Sequence, residues 1–393
     1  MLLVWVVILG IAFFPLMVGL PFNVRGTASP VHAAPIASYS SHVVLITLEN
    51  HNLSSVKCNG CAPYMSSLGN LYSNSTGYVG PVSVSWKPSL PNYLGLVSGQ
   101  TWGCTIDRLP NSVGCTTDPW NCSNPCNIVD RFSGAGVSWK GYMEGMPGSN
   151  ICNGNGGFDG GTANVYVAHH DPFVYFSDIV TNPNRCSLVV PSGSSGGATN
   201  CGTTVTASVI SRLVTDLNGT AANFSWVTPN RLDDSHDCNV RQSDSWLSVV
   251  VPAILTTKTF ETDTSATIII TFDEPTMGTY GTTPVYFVVA GPGARLHYSS
   301  STRFTHLNLL ATIESNWSLN CLLSGSDCSA AVMSEFLAAG VEHVPPSGGF
   351  CFSCILNDLS SSRFMIGFGV GLVIIALGIV LASKRKRSRN LHG

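Results

Sequence analysis

Two pairs of oxygen-bearing side chains directly follow two apolar runs that are far apart in the chain. Glu49 and Asn50 end the run "HVVLITL", and Asp273 and Glu274 end the run "ATIIITF". Both runs are rich in β-branched residues, which is typical of strands buried on both faces of a parallel sheet. Ligands of open α/β sheets bind at the carboxyl ends of the strands. Side by side, the two ends would form an acidic site for a hard cation; alternatively, these residues merely begin loops.

Three other segments add a hydroxyl group and three histidines. Ser89 lies in "KPSLPNY", His169 and His170 in "HHDPF", and His236 in "DDSHD". With the two pairs of oxygen-bearing side chains at the strand ends, these groups suit phosphoryl transfer. A cation neutralises the oxygens of the transferred group, a serine near the metal serves as nucleophile, and histidines bind phosphate oxygens or protonate the leaving oxygen.

The order and wording of these segments resemble a family of phosphoesterases that includes bacterial acid phosphatases and non-specific phospholipases C, within the alkaline-phosphatase-like superfamily. The matching stretches run in family order across about residues 42–320: "HVVLITLENHN", "KPSLPNYLGLVSG", "WKGYMEGMP", "YVAHHDPFVYFSDI", "WVTPNRLDDSHDC", "SDSWLSVVVPAIL", "ATIIITFDE" and "FTHLNLLATIESNWSL". The resemblance implies a three-layer α/β/α sandwich and hydrolysis of phosphate esters.

The resemblance also implies a role for each matched residue. Glu49, Asp273 and Glu274 look like metal ligands, and Asn50 looks like a further ligand or a donor to a phosphate oxygen. Ser89 stands where the family places its nucleophile. The Asp-His metal pair that is common elsewhere in the superfamily is absent from the second strand end, which favours one metal ion over two zinc ions. Mainly oxygen ligands favour Mg²⁺, Ca²⁺, Mn²⁺ or iron over zinc.

The three histidines fall at family positions for phosphate binding or acid–base catalysis. His169 and His170 are expected to bind the phosphate group and to take part in catalysis, and His236 is expected to donate a proton to the leaving oxygen. Further candidates nearby are Asp234, Asp237 and His306.

The composition is that of a folded protein with few charges. Of the 393 residues only 10% are charged, against about 25% in ordinary globular proteins, while the 44% hydrophobic content supplies a core. The formal net charge of -3 gives no sign of a nucleic-acid partner. Residues 35–340 are predicted to form one α/β domain.

The two ends of the chain predict membrane targeting. Residues 1–33 are predicted to be a signal peptide or an N-terminal anchor. A linker at 341–363 leads to a charge-free segment at 364–382, whose length of about 28 Å as a helix matches the bilayer core. The basic tail at 383–393 is expected to stay in the cytoplasm. These features predict a single-pass protein of the cell membrane with its catalytic domain outside.

Cysteines and glycosylation motifs also predict an extracellular domain. The fourteen cysteines fit a disulfide-stapled protein, and there are six Asn-x-Ser/Thr motifs. These motifs begin at Asn52, Asn74, Asn121, Asn218, Asn223 and Asn316. The pairing suggested by sequence proximity is 58/61, 104/115, 122/126, 186/201, 321/328 and 351/354, leaving 152 and 238 to clip a distant loop. The two Cys-x-x-Cys pairs could instead bind zinc.

Hydrophobic patterns place several further elements. Strands are predicted at 137–142, 224–228 and 285–290, and helices at 204–217, 246–255 and 306–315. The stretches at 100–136 and 148–165 are predicted to be long stapled loops.

Taken together, the residues and the resemblance predict an extracytoplasmic, metal-dependent acid phosphatase-like enzyme that hydrolyses phosphate monoesters through a serine nucleophile. Two alternatives stay open. One is a phosphodiesterase of phospholipase C type, and the other is a non-catalytic cell-surface glycoprotein.

Overall fold

The computed structural model describes residues 39–338, with gaps at 113, 124, 162–163, 277 and 323–325. The predicted signal peptide or anchor, the linker, the membrane segment, the basic tail and the Cys351/Cys354 pair all lie outside the described residues. Within the described part of the chain, no helix is long and apolar enough to cross a bilayer.

The core of the described domain is a mixed sheet. Its strands are β1 Val43–Leu48, β2 Ser73–Ser75, β3 Trp139–Met143, β4 Val189–Pro191, β5 Phe224–Thr228, β6 Thr267–Phe272, β7 Phe287–Ala290 and β8 Tyr298–Ser300. They lie in the order β4-β3-β5-β1-β6-β7-β2-β8. The strands from β4 to β6 in this order are parallel, whereas β7 runs antiparallel to both β6 and β2.

Helices are distributed along the whole of the described chain. They are α1 Leu53–Lys57, α2 Pro63–Leu71, α3 Ser89–Ser98, α4 Ile128–Ala135, α5 Ser177–Val180, α6 Pro183–Cys186, α7 Ser211–Asn218, α8 Val240–Leu255, α9 Lys258–Thr262 and α10 His306–Asn316. Helix α2 packs against α8, and α3 packs against α10 and α4. Every residue of β1, β5 and β6 is buried, as expected of a sheet that is covered on both faces.

The predicted adjacency of the two apolar runs is confirmed. Strand β1 pairs in parallel with β6, and Leu48 lies opposite Phe272, so both strands end at the same level. The other element predictions hold with shifted ends. The helix expected from residue 246 begins at Val240, and the one expected at 204–217 is a short 3-10 turn at Ala207–Ile210 followed by α7.

Two disulfide predictions are wrong. The local pairs 58/61, 104/115, 122/126 and 321/328 are confirmed, and the first of them leaves no thiolates for zinc. Cys186, however, pairs with Cys152 and not with its sequence neighbour Cys201, which pairs with Cys238. The reason is strand adjacency: β3 and β4 are neighbours, and the N–H of Ile151 donates to the carbonyl of Val189 over 3.2 Å.

Asn316 and Asn74, which begin two of the predicted glycosylation motifs, are among the motif asparagines whose side-chain amide is hydrogen-bonded within the fold. Asn316 is 4% exposed, and its side chain both accepts from and donates to the backbone of Ser40. Asn74 lies within β2 and donates its amide to the carbonyls of Gly69 and Tyr298. A glycan at either position would break these contacts.

Candidate active site

The ends of β1 and β6 place two carboxylates beside each other. The ladder continues beyond the strands, because the N–H of Asp273 donates to the carbonyl of Leu48 over 2.9 Å. The N–H of Asn50 donates to Oδ1 of Asp273 over 3.1 Å. Asn50 has a φ of 52°, a conformation that asparagine adopts more readily than most residues. Glu49 and Asp273 are both completely buried.

Helix α3 brings the serine to this pair. It begins at Ser89, whose hydroxyl donates to Oε2 of Glu49 over 3.0 Å. Ser89 is 2% exposed. The next N–H of the helix, that of Leu90, donates to Oδ1 of Asp107 over 2.9 Å, which satisfies one of the amides that a helix start leaves without an intrahelical partner. Glu49 therefore holds the hydroxyl of Ser89, and Asp107 holds the first turn of the helix that positions it.

The same helix holds the third strand-end carboxylate, that of Glu274. Asn92, one turn into α3, donates its amide to Oε2 of Glu274 over 2.8 Å, and the hydroxyl of Tyr280 hydrogen-bonds to the same carboxylate. Burial raises the pKa of Glu274 to about 7, and these hydrogen bonds oppose the rise. Glu274 thus lies beside the serine turn as well as beside Asp273.

His170 links the serine side of the site to the loop that follows β5. Its Nδ1 lies 3.1 Å from Oδ2 of Asp234, and its Nε2 lies 3.4 Å from Oε1 of Glu49. The ring stacks on Tyr93 with 5.2 Å between centroids. Burial, with the neighbouring histidines, lowers the pKa of His170 well below its ordinary value. The ring is consequently fixed in orientation by Asp234 and Tyr93.

The other two histidines border His170. The centroids of the His169 and His236 rings lie 4.6 Å and 5.6 Å from that of His170. His236 is fixed by the same loop: its N–H donates to Oδ1 of Asp234 over 2.7 Å, and its Nδ1 lies 2.7 Å from Oδ1 of Asp237. Its side chain is 37% exposed, so it can meet a ligand that enters from solvent.

A buried carboxylate behind this loop was missed by the sequence analysis. Glu144 directly follows β3 and accepts hydrogen bonds from the N–H of Asn230 (2.9 Å) and from the indole of Trp246 (3.2 Å). Asp233 is bonded to the N–H of Ala198 over 2.7 Å. Burial, with the charge of Asp233, raises the pKa of Glu144 well above its ordinary value. The signal that could have found Glu144 is the one used for Glu49, a carboxylate at a strand end.

His306 lies behind the site rather than in it. This completely buried side chain hydrogen-bonds through Nε2 to the main-chain carbonyl of Asp273. Its Nδ1 accepts from the hydroxyl of Tyr78 over 2.8 Å, because the other ring nitrogen must carry the proton to donate to a carbonyl. Burial lowers the pKa of His306 to about 4. His306 therefore supports the β6 end.

The donor atoms left over at the strand ends fit a cation. Oε1 of Glu49, Oδ1 of Asn50 and Oδ2 of Asp273 are buried and make no hydrogen bond. Among the described residues, no lysine or arginine nitrogen lies within 4.0 Å of a carboxylate oxygen of Glu49 or Asp273. Burial and mutual repulsion raise the pKa of Glu49 well above its ordinary value, and burial and the charge of Glu274 do so for Asp273. Uncompensated buried carboxylates are costly, and oxygen donors of this kind suit a hard divalent ion.

A second cluster of possible ligands does not fit a metal. Donor atoms of Cys321, Asp327 and Cys328 lie within 4.8 Å of one another. The two cysteines form a disulfide, so neither offers the thiolate that a metal needs.

The structure brings all eight sequence-predicted site residues to one edge of the sheet. They are Glu49, Asn50, Ser89, His169, His170, His236, Asp273 and Glu274. Asp234 and Asp237 orient histidines, and His306 supports the strand end. The fold sets these positions, whereas the catalytic role of each residue stays a prediction.

Comparison with known proteins identifies relatives of this chain. The model of the "Phosphoesterase family" matches residues 83–320, more than half of the chain. A "Probable acid phosphatase" of Kluyveromyces lactis is 27% identical over 59% of this chain and 49% of its own length. A "Phosphatidylinositol-3-phosphatase" of Mycobacterium tuberculosis is 25% identical over 71% of this chain and 77% of its own length. The chain spans about half the length of the Kluyveromyces lactis protein and of an "Acid phosphatase" from Aspergillus fumigatus.

Among solved structures, a protein of the alkaline phosphatase superfamily from Vibrio parahaemolyticus superposes with a TM-score of 0.49 and 11% identity. The superposition covers 76% of this chain and 73% of that protein.

Proposed function

Because the chain belongs to the Phosphoesterase family, we propose that it is a metal-dependent hydrolase of phosphate monoesters, with Ser89 as nucleophile. One observation carries the proposal. The hydroxyl of Ser89 is bonded to a buried carboxylate, that of Glu49, which is itself part of a cluster of unpartnered oxygens. A hydroxyl held against a cation site at a helix start is arranged for attack on an electrophile with negatively charged oxygens.

The proposed cofactor is one divalent ion, with Mg²⁺, Ca²⁺, Mn²⁺ or iron preferred to zinc. Glu49, Asn50 and Asp273 would hold it through the unpartnered oxygens, with Glu274 completing the set. When bound, the ion would supply positive charge to the phosphate oxygens and to the serine oxygen.

Ser89 carries the first chemical step of the proposed reaction. The hydrogen bond to Oε2 of Glu49 orients the hydroxyl and provides an acceptor for its proton. A new bond forms between Oγ and phosphorus, and the bond between phosphorus and the oxygen of the alcohol breaks. Water then attacks the phosphoserine, releasing inorganic phosphate and regenerating the hydroxyl group, so that one water is consumed for each ester hydrolysed.

The histidines serve the phosphate and the leaving group. His170 is held rigidly by Asp234 and Tyr93, and with His169 it would bind the phosphate group. The more exposed His236 would give its proton to the leaving oxygen. Since that step needs a protonated imidazole, we expect an acid pH optimum.

The proposed setting is outside the cell. Six disulfides join described residues, which favours an oxidising compartment. Attachment by a single membrane-spanning segment at 364–382, with the catalytic domain in a three-layer α/β/α sandwich of alkaline-phosphatase type outside, remains part of the proposal.

One assay series tests the proposal against both alternatives. Purified protein is incubated with p-nitrophenyl phosphate, bis(p-nitrophenyl) phosphate and phosphatidylcholine, and product release is measured from pH 4 to pH 9. We expect the monoester to be hydrolysed fastest, with an optimum below pH 7. Preference for the diester or for phosphatidylcholine would indicate the phospholipase C-type alternative, and no turnover of any ester would indicate a surface glycoprotein.

A further inference from the structure

A shallow groove with a cavity volume of about 640 Å³ runs beside the proposed nucleophile. Its lining includes Val84, Lys87, Pro88, Ile106 and Asp107. Pro88 directly precedes Ser89, and Asp107 accepts the hydrogen bond from the first turn of α3. The groove thus lies against the turn that leads into the proposed nucleophile.

Two apolar side chains that line the groove are exposed and do not belong to the hydrophobic core. Val84 is 72% exposed and Ile106 is 51% exposed. A single exposed aliphatic side chain is ordinary, but a cluster beside a reactive centre is characteristic of a ligand site.

Two more exposed apolar residues lie in segments that neighbour the groove loop and the histidine segment. Leu109 and Phe158 are 44% and 45% exposed, and the ring of Pro110 lies beside Gly157, which joins the segments that carry them. The residue after Phe158, Asp159, accepts a hydrogen bond from the N–H of Ala168, immediately before His169. We call Val84, Ile106, Leu109 and Phe158 the apolar rim. Of the large exposed hydrophobic residues in the described ranges, only Leu71 and Leu296 are not in it.

Ile106 is held in place although it is exposed. The flanking disulfide Cys104–Cys115 closes its loop. Gly114 faces it with a φ of +135°, and a Cβ at that position would lie 2.8 Å from Cγ1 of Ile106. A rigid apolar side chain needs little ordering when a ligand binds, so a preformed wall of this kind favours binding.

We propose that the groove between Val84 and Ile106 binds the apolar chain of the substrate alcohol, so that the preferred substrates are phosphate monoesters of amphiphilic alcohols. The inference rests on the proposed function, because the phosphate group is taken to lie at Ser89. The same chemistry is offered by a free alkyl phosphate and by a lipid phosphate in a bilayer, and the experiment below separates these two sources.

The test is a homologous series of substrates. Phosphate release from n-butyl, n-hexyl and n-octyl phosphate, each below its micelle concentration, is measured for the full chain and for the Val84→Ser/Ile106→Ser variant. For the unaltered protein we expect kcat/KM to rise about two- to four-fold per methylene that enters the groove. In the variant the octyl/butyl ratio should fall by at least about ten-fold, since both walls lose their apolar surface.

The matched control is Leu296→Ser. Leu296 is 56% exposed, close to the value for Ile106, but it follows β7, whose last residue lies opposite the start of β6. It is therefore at the other edge of the sheet, and the chain-length dependence should be unchanged. Thermal melting of both variants checks that the fold is kept.

The outcomes separate this inference from the proposed function. No phosphate release from any monoester overturns both. Release with no chain-length dependence, or with the same dependence in the groove variant, overturns the groove alone. The source is read from phosphatidic acid in phosphatidylcholine vesicles: hydrolysis that is lost in the groove variant supports the proposal with a membrane lipid as the source. Dependence limited to the soluble series supports it with a free amphiphile as the source.

Discussion

The main-chain N–H of Asn50 donates a hydrogen bond of 3.1 Å to Oδ1 of Asp273, a residue 223 positions further along the chain. The other oxygen of this carboxylate, Oδ2, is buried without a hydrogen-bond partner. One oxygen therefore ties the ends of β1 and β6 together, while the second is available to a ligand. Because the two oxygens of Asp273 have these different roles, the first prediction concerns this carboxylate.

Asp273→Asn should weaken metal binding by more than about 100-fold, because the amide replaces a negative charge with a neutral group. The measurement is metal content by elemental analysis together with the rise in Tm on adding Mg²⁺ or Mn²⁺. Glu261→Gln, an exposed carboxylate on α9, is the control and should behave as the unaltered protein. Equal metal content in Asp273→Asn and the control would contradict the ligand assignment.

Ser89→Ala should lower kcat by at least about 1,000-fold, because a covalent nucleophile acts as a unit with the rest of the catalytic machinery. The protein should still fold, since the hydroxyl contributes one hydrogen bond to the buried site. Acid-quenched wild-type enzyme should carry phosphate on this residue, as detected by mass spectrometry. The exposed Ser67→Ala is the control. If Ser89→Ala keeps more than about a tenth of kcat, a barrier change below about 1.4 kcal/mol, direct attack by water is the better mechanism.

His236→Ala should remove the dependence of activity on protonation of this imidazole. In the unaltered protein we expect activity to fall on the basic side, because the neutral ring cannot protonate the leaving oxygen. With p-nitrophenyl phosphate, whose leaving group needs little protonation, the loss should be smaller than with an alkyl phosphate. The measurement is the pH–rate profile for both esters, and an alkaline optimum in the unaltered protein would refute the assignment.

Glu314 should make the fold more stable in acid than in base. Burial, the charge of Asp327 and a hydrogen bond to that residue raise the pKa of Glu314 to about 10 from 4.5. The folded state therefore retains a proton that the unfolded chain releases. Its contribution to the free energy of unfolding is complete below pH 4.5 and is lost as pH rises towards 10, by up to about 1.4 kcal/mol per pH unit.

Denaturant unfolding of Glu314→Gln between pH 5 and 9 tests this. The neutral amide cannot release a proton, so the slope of stability against pH should be smaller than in the unaltered protein, and Glu261→Gln should leave it unchanged. An identical slope in Glu314→Gln would show that Glu314 does not titrate in this range.

Much of the site could be read from local patterns. A buried parallel strand leaves a continuous apolar run, and the residue after it stands at the ligand-binding edge. For that reason the sequence indicates Glu49 and Asp273 as neighbours although 224 positions separate them along the chain. The ordered segments that resemble the phosphoesterase family also indicate Ser89 and the three histidines. The same pattern occurs at β3, which Glu144 directly follows.

Strands at the margin of the sheet left no such pattern. Strand β2 is Ser73–Ser75, a short polar segment whose pairing with β7 and β8 depends on backbone hydrogen bonds rather than on side-chain periodicity. Helix α4 lies inside a stretch that was predicted to be a stapled loop.

The sequence alone determined the types of side chain at the strand ends, since burial and backbone extension are encoded locally in the apolar runs. Only the tertiary structure decided which distant groups meet: the serine with Glu49, His306 with the carbonyl of Asp273, and Cys152 with Cys186. The number of residues that separates these partners along the chain does not indicate how close they lie in space. The partners meet because neighbouring strands pair and the helices between them bring the loops together. No local sequence pattern indicates this.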